Sequence, residues 1–585
     1  MAAAQRRRSS STIERDAAVT IDLSRRQMLA ASAIGLSYGC AFSRSLAAGP
    51  AEADLIVHNA NIYTIDDRLP KVSAMAIRGS QIMAVGDYGN LRGLAGKGTR
   101  IVDAGRKTIV PGFIDCHNHG RGVELVYEVL VGNPFVVEFV TIQSIIDKLK
   151  ARAAITPAGT WVEGFFYDDT KVKDGRPLTR FDLDKVSTEH PVVVRHRGGH
   201  TSYYNSKALA MAGFTDGMPD PFGGTIDKGA GGILTGRVTD RARAPLDKVG
   251  DRPKFTQAQI EERTRKGFAF SSKMFVEFGL TGVHHQGGDL AAMQAVRAQG
   301  ELRHRVSYET NGATLDAMLA NGLQTGFGDE WIKLGATSEH SVDGSFSERT
   351  MAISTPYKGT NPPYFGNITE SQEVLDAWVE KVHRAGVQVN CHANGDVVIN
   401  MVLKALERAQ NLYPIADARP KITHCTLINP DLLRRIKALG VIPAPFTSYA
   451  YYNSDKFTFY GEEMMKNCMA FRSFLDAGVP VCAGSDFSPG PFSPLMGIQG
   501  MVTRKGWDGK TWGLNQRVTV AEAIRINSYN GAFASREEAI KGSLTPGKLA
   551  DYVVLAEDPH SVDPEKIKDI KIVETVTGGR SVYRG

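Results

Sequence analysis

Short apolar runs alternate with amphipathic helical stretches through the middle of the chain, and this alternation restricts the fold more than any other feature. The runs end near Cys116, Arg197, His285, Glu309, Gly335, His392, Thr426, Phe446 and Gly484. Helical patterning covers residues 142–154, 256–278, 372–385, 397–410, 431–439 and 469–477. Repeated strand–helix units build a parallel sheet, and about eight of them close a (β/α)8 barrel. The runs named above exceed that by one, so one strand belongs elsewhere. The stretch from Cys116 to His392 is also about twice what four barrel units need, since a whole barrel takes ~250 residues. An inserted subdomain is therefore expected. The Gly/Pro-rich stretch 213–236 places it at about residues 198–255.

Both chain ends have a different texture. Asp54-Leu-Ile-Val-His-Asn, Gln81-Ile-Met-Ala-Val-Gly and Thr108-Ile-Val are short strands punctuated by Gly and Asp. Ala550-Asp-Tyr-Val-Val-Leu and Lys571-Ile-Val-Glu-Thr-Val repeat the pattern near the C-terminus. A β unit divided between the two ends implies that the barrel is inserted into it. The expected layout is an α/β chain: a small β-sandwich from residues 49–110 and 541–585, with a barrel over 111–540. The length of 585 residues accommodates this without a disulfide scaffold.

Charge locates a further segment. The chain carries a formal +6, but residues 1–48 hold seven arginines against Glu14, Asp16 and Asp22. The remainder is close to neutral and has no basic run interleaved with aromatics, which argues against nucleic-acid binding. Twin arginines, Arg25 and Arg26, precede a weakly apolar stretch and the small residues Ala47-Ala48-Gly49. That layout is a signal peptide of the twin-arginine (Tat) type. It predicts the Tat export machinery as a partner and a periplasmic or extracellular protein, with a retained basic tail as the alternative. The apolar stretch is too short and too rich in Gly and Ser to span a bilayer, so no stable membrane insertion is expected. The six cysteines include no CxxC pair and read as buried thiols, with Cys40 in the leader.

Chemistry concentrates at strand ends. Val110-Pro-Gly-Phe-Ile-Asp-Cys-His-Asn-His ends an apolar run in His117-x-His119. Residues two apart on a strand share a face, so both imidazoles can reach one ion at the C-terminal mouth of a barrel. His392, His424 and Asp486 end three further runs. Each alone has an ordinary reading, as a core histidine or a helix N-cap. Together, four histidines and an aspartate suit Zn²⁺ or a similar divalent ion, one or two per chain. Lys333, in Glu330-Trp-Ile-Lys-Leu, stands near the same mouth. It either bridges metals as an N6-carboxylated lysine or simply reaches solvent.

With these residues in place the sequence resembles the amidohydrolase superfamily, and within it family 3, the YtcJ-like hydrolases that include N-substituted formamide deformylases. Further motifs carry the resemblance: Gly199-His200-Thr-Ser-Tyr-Tyr-Asn205-Ser-Lys-Ala-Leu, Asp220-Pro-Phe-Gly-Gly-Thr, Val342-Asp343-Gly344-Ser and Gly542-Ser-Leu-Thr-Pro-Gly-Lys-Leu-Ala-Asp551. The resemblance implies metal ligands at His117, His119, His392, His424 and Asp486, with Lys333 as the bridge. Two departures stand out: extra residues at 335–341, and His284-His285 where relatives often carry an acid.

The function so implied is metal-dependent hydrolysis of a non-peptide C–N bond, amide or formamide, in a small molecule. Asp486 is the expected general base and acid, and His200 the expected carbonyl-oxygen ligand. Asn205 and Asp343, in the shared motifs, and the aromatics Phe446 and Tyr449 are expected substrate contacts. A homodimer is one expected assembly. The rival readings are an isomerase or lyase on the same metal, and an exported non-catalytic binding protein.

Overall fold

The computed structural model describes residues 52–585, so the expected leader at 1–48 lies outside the described residues. Seven barrel strands are regular: β1 (Phe113–Asn118), β2 (Leu280–Gln286), β3 (Arg305–Thr310), β4 (Ile332–Thr337), β5 (Asn390–Ala393), β6 (Lys421–His424) and β7 (Ile442–Ala444). β1 to β4 pair in parallel in sequence order, as do β5 to β7. The first joint between these runs is Thr337, whose N–H donates to Gln388 O at 2.9 Å. The second is the extended chain around Cys482–Asp486. Cys482 N–H donates to Pro443 O at 3.0 Å, and Cys116 N–H donates to Ala483 O at 2.7 Å. The ring is thereby closed.

The surrounding helices follow from their patterning. In Gln372–Arg384, Leu375, Val379 and Val382 form one buried stripe at helical spacing, while Ser371 caps the first turn through Val374 N–H. Lys381, His383 and Arg384 fill the last turn, where the helix dipole favours cations.

Two sheets flank the barrel. One contains Ala53–His58, Ala74–Arg78, Gln81–Gly86 and Ala95–Asp103. The other joins Asn61–Tyr63, Lys71–Val72 and Thr108–Pro111 to Tyr552–Leu555, Ile572–Thr577 and Arg580–Arg584, so both chain ends share one sheet. Leu55, Ile62, Ile77, Ile109, Tyr552 and Val554 form a single apolar cluster between them.

The inserted segment is larger than residues 198–255. Between β1 and β2 the chain forms a six-stranded sheet running from Val129–Leu130 to Leu234–Thr239. Val192–His196, the run ending near Arg197, is its strand and not a barrel strand; it pairs with Val162–Tyr167 and Thr201–Tyr204. The insertion buries its own apolar set, including Ile145, Leu149, Val162, Val194 and Tyr203. Such a set needs the residues before 198 to form.

The five described cysteines are buried and free. No described helix is long and apolar enough to cross a membrane.

Candidate metal centre

Strand ends deliver the donors. His117 and His119 leave β1, His392 leaves β5 and His424 ends β6. Asp486 arrives on the eighth segment, fixed by its N–H to His117 O at 2.9 Å. Its Oδ1 lies 3.0 Å from His117 Nε2 and 2.9 Å from His119 Nε2. Gly484 lets that segment approach β1: a Cβ there would stand 3.0 Å from His117 Cβ. Asp486 and His424 both adopt left-handed backbone, with φ of 49° and 71°. Non-glycine residues hold that region at a cost of order 1 kcal/mol or more, a cost that clusters at functional sites.

The centre of the cluster is Glu339, just beyond β4. Its Oε2 lies 3.5 Å from His117 Nε2, 3.3 Å from His392 Nδ1 and 3.4 Å from His424 Nε2, and its Oε1 lies 3.6 Å from His119 Nε2. Two potential metal-holding groups result, one of His117, His119, Glu339 and Asp486, the other of Glu339, His392 and His424. Glu339 belongs to both.

Lys333 does not take part. It is the second residue of β4, about 13 Å of extended chain from the strand's end. Its ammonium pairs with Glu537 at 3.3 Å. The side chain shared by the two groups is the Glu339 carboxylate instead. The signal lay in the extra residues 335–341, which carry β4 onward and place Glu339 just past its end, where His119 also stands relative to β1.

Electrostatics favour a cation here. Burial acts to lower the pKa of His117, but the carboxylates of Glu339 and Asp486 outweigh it and hold the ring up at about 10. Burial opposes ionisation of Glu339, yet His117, His392 and His424 keep its carboxyl well below the usual range. Burial, then the neighbouring His392, takes His424 down to about 3. His392 Nδ1 and His424 Nε2 face each other at 2.7 Å, and His424 Nδ1 is buried with no hydrogen-bond partner. Buried imidazoles and carboxylates converging at these distances are the donor set that divalent ions of the zinc type take.

His200 stands beside this cluster, its ring centroid 4.9 Å from that of His392. Its Nδ1 lies 2.8 Å from Asp240 Oδ1, and Asn367 Nδ2 donates to the other Asp240 oxygen at 2.7 Å. Burial works against the charged ring, but Asp240 raises its pKa to about 9. Glu348 holds the backbone on either side, accepting from His200 N and Thr201 N at 3.0 Å each. Asp240, Asn367 and Glu348 were not singled out by the sequence.

The expected substrate contacts divide. Phe446 packs edge-on to His424 with centroids 4.1 Å apart, and Tyr449 packs on Phe446 at 4.5 Å. Both are buried walls of the cluster. Asp343 accepts from Asn394 N, Gly395 N and Ala352 N at 2.9 Å each, so it clamps the chain beside His392. Burial pushes its carboxyl up to about 6. Asn205 is no substrate contact. It caps Ser206–Met211 through Ala208 N–H at 3.0 Å, accepts from Val192 N at 3.0 Å, and donates to His190 O at 3.0 Å.

Beneath the cluster lies a second polar layer. Gln286 Nε2 is 2.7 Å from His117 Nδ1 and donates to Glu309 at 2.6 Å, while its Oε1 accepts from Glu339 N at 2.9 Å. Glu309 in turn pairs with Lys421, whose ammonium also donates to Cys116 O at 2.9 Å.

Comparison with known proteins identifies the family. The amidohydrolase family profile (Amidohydro_3) matches residues 100–583. YtcJ of Bacillus subtilis (strain 168), whose name carries amidohydrolase as a provisional assignment, is 27% identical over 90% of this chain and 99% of its own. The N-substituted formamide deformylase of Arthrobacter pascens is 26% identical over 90% of this chain and 97% of its own. Among solved structures, an uncharacterized metal-dependent hydrolase from Pyrococcus horikoshii OT3 aligns with a TM-score of 0.66 and 23% identity, covering 87% of this chain and 99% of that one. The profile match takes in most of the chain, barrel and returning sheet together, and the chain belongs to the amidohydrolase family, with a histidine-rich candidate metal site as a metal-dependent hydrolase of that family has.

Proposed function

We propose that the protein hydrolyses a non-peptide C–N bond in a small amide, with N-substituted formamides as the first substrate class to examine. One observation carries the reading: Asp486 Oδ1 stands within 3.0 Å of both His117 and His119, at the cluster that Glu339 completes. The deformylase named above supports the choice of formamides.

His117, His119, Glu339 and Asp486 would hold one divalent ion, and Glu339, His392 and His424 a second. A divalent ion in such a site lowers the pKa of water toward neutrality and polarises a carbonyl. Asp486, an acceptor with its second oxygen free of His117 and His119, takes the proton of the attacking water and returns it to the departing nitrogen. Charge develops on the carbonyl oxygen as the water adds. His200, held at Nδ1 by Asp240, has its Nε2–H available to donate to that oxygen. Phe446 and Tyr449 exclude water from one side of the site.

Replacing His117 and His119 together with Ala should abolish stoichiometric zinc in the purified protein and reduce formate release from N-substituted formamides to background. Unchanged metal content by elemental analysis would remove both residues from the ligand set. Replacing His200 with Ala should lower kcat by about 10²–10³. Asp240→Asn should cause a smaller loss in kcat with KM and metal content nearly unchanged, because the amide oxygen still accepts from His200 Nδ1 while the charge that holds the ring protonated is lost. Equal kinetics for wild type and Asp240→Asn would show that His200 does not act through this pair.

A further inference from the structure

A cavity of about 690 Å³ opens between the inserted sheet, the chain after β4 and the loop after β7. It falls within the ~300–1,000 Å³ range of small-molecule sites. None of the cluster residues lines it. Its walls are aromatic: Tyr203, Tyr357, Tyr364 and Phe459. Tyr357 and Tyr364 lie 5.4 Å apart by ring centroid.

Its charges are incompletely paired. Arg349 lies over the Phe459 ring at 4.5 Å and is neutralised by Asp169. Arg237 is different. It sits opposite Tyr203 across two strands of the inserted sheet, so both side chains share a face. Arg237 Nη2 donates to Glu348 O at 3.0 Å, its Nε is buried with no partner, and it makes no ion pair among the described residues. Tyr364 Oη is likewise buried and unpartnered. Lys358, at the rim, also has no ion pair among the described residues, whereas Asp227 is the one lining acid other than Asp169. The balance is positive, and a guanidinium with spare donors is the group that best recognises a carboxylate.

We propose that this cavity is a binding site for a small molecule bearing an aromatic ring and a carboxylate, with the carboxylate at Arg237 and the ring among Tyr357, Tyr364 and Phe459. The ligand is either the non-reacting end of a substrate or a separate effector; the chemistry recognised is the same. The site does not depend on the metal reading. The same residue, Glu348, holds Arg237 by its carbonyl and the His200 backbone by its carboxylate, so occupancy can be sensed at the cluster.

The test is calorimetric titration of the full chain with 3-phenylpropionate, using 3-phenylpropan-1-ol as the neutral counterpart. Saturable binding of the acid is expected, weaker by about tenfold or more for the alcohol and in Arg237→Gln, the usual worth of a hydrogen bond to a charged group. Tyr364→Phe, which keeps the ring, should weaken it by a smaller factor and serves where Arg237→Gln fails to fold. His117→Ala/His119→Ala should bind the acid as wild type does. Absence of saturation overturns the proposal, as does wild-type affinity in both Arg237→Gln and Tyr364→Phe. Binding lost only in the histidine double variant would place the acid at the metal centre and also overturn it. Competition between 3-phenylpropionate and an N-substituted formamide would then separate a substrate subsite from an effector site.

Discussion

Asp486→Asn is expected to lower kcat by about 10²–10⁴, the usual contribution of a positioned acid–base group, while the metal content of the purified protein is unchanged. The substitution keeps an oxygen facing His117 and His119 and changes little in volume. It removes the negative charge and with it the ability to take a proton from water. Retention of metal follows from the remaining donors: His117, His119 and Glu339 still converge in the first group, and Glu339, His392 and His424 are untouched in the second. Elemental analysis and steady-state kinetics on one preparation separate the two effects. Near-wild-type turnover with full metal would eliminate Asp486 as the proton carrier. Loss of metal together with turnover would make its charge a requirement for assembling the site. Since ΔΔG‡ converts at ~1.4 kcal/mol per tenfold, the loss corresponds to about 3–5 kcal/mol of transition-state stabilisation.

The strand-end donors were readable because each ends an apolar run with a residue that has no reason to be there. His117 and His119 show the two-residue period of a strand, and Asp486 follows Val479-Pro-Val-Cys-Ala. Glu339 escaped because β4 looks finished too early. Gly335 and Ala336 have weak strand propensity, so the run seems to stop near Gly335 when it continues to Thr337. The surplus strand misled for another reason. Val192–His196 opens on three consecutive valines, as a buried parallel strand should, and it does pair in parallel with Val162–Tyr167. Nothing local distinguishes which of two parallel sheets a strand joins. Asn205 shows the opposite lesson. Its place in the shared motif suggests a substrate contact, yet it precedes Ser-Lys-Ala-Leu and serves as the N-cap of that helix. The partners at long range, Asp240 for His200 and Gln286 for His117, are set by packing between distant segments and leave no local signature.

Lys421→Met is expected to cost about 3–5 kcal/mol of stability, as removal of one partner from a buried ion pair does. Lys421 and Glu309 are each about 1% exposed or less and pair inside the barrel, below the metal cluster. Burial opposes the charge on both; each partner overcomes that for the other, so Glu309 titrates below its ordinary value and Lys421 above its own. With Lys421 gone, burial, the largest influence on Glu309, is opposed only by hydrogen bonds, that from Gln286 among them, and the neighbouring His284 and His117, and the carboxyl pKa is expected to rise above the unfolded value. The sign of the pH dependence follows. In the parent, the depressed Glu309 pKa contributes stability above the unfolded value of ~4.3, lost as pH falls through the folded pKa. In the variant, the raised pKa destabilises increasingly as pH rises from ~4.3 toward that new value. The gap between the two proteins should therefore be small near pH 4 and widest at neutral pH. Urea midpoints measured across that range give the comparison. The double variant Lys421→Met/Glu309→Gln should recover most of the loss at pH 7, because no unpaired charge remains. If it is as unstable as Lys421→Met at every pH, the penalty comes from lost packing around Lys421 and the hydrogen bond to Cys116 O, not from an orphaned carboxylate. Recovery of stability without recovery of turnover would show in addition that the pair holds Gln286, and through it His117 and Glu339, in register with the reaction.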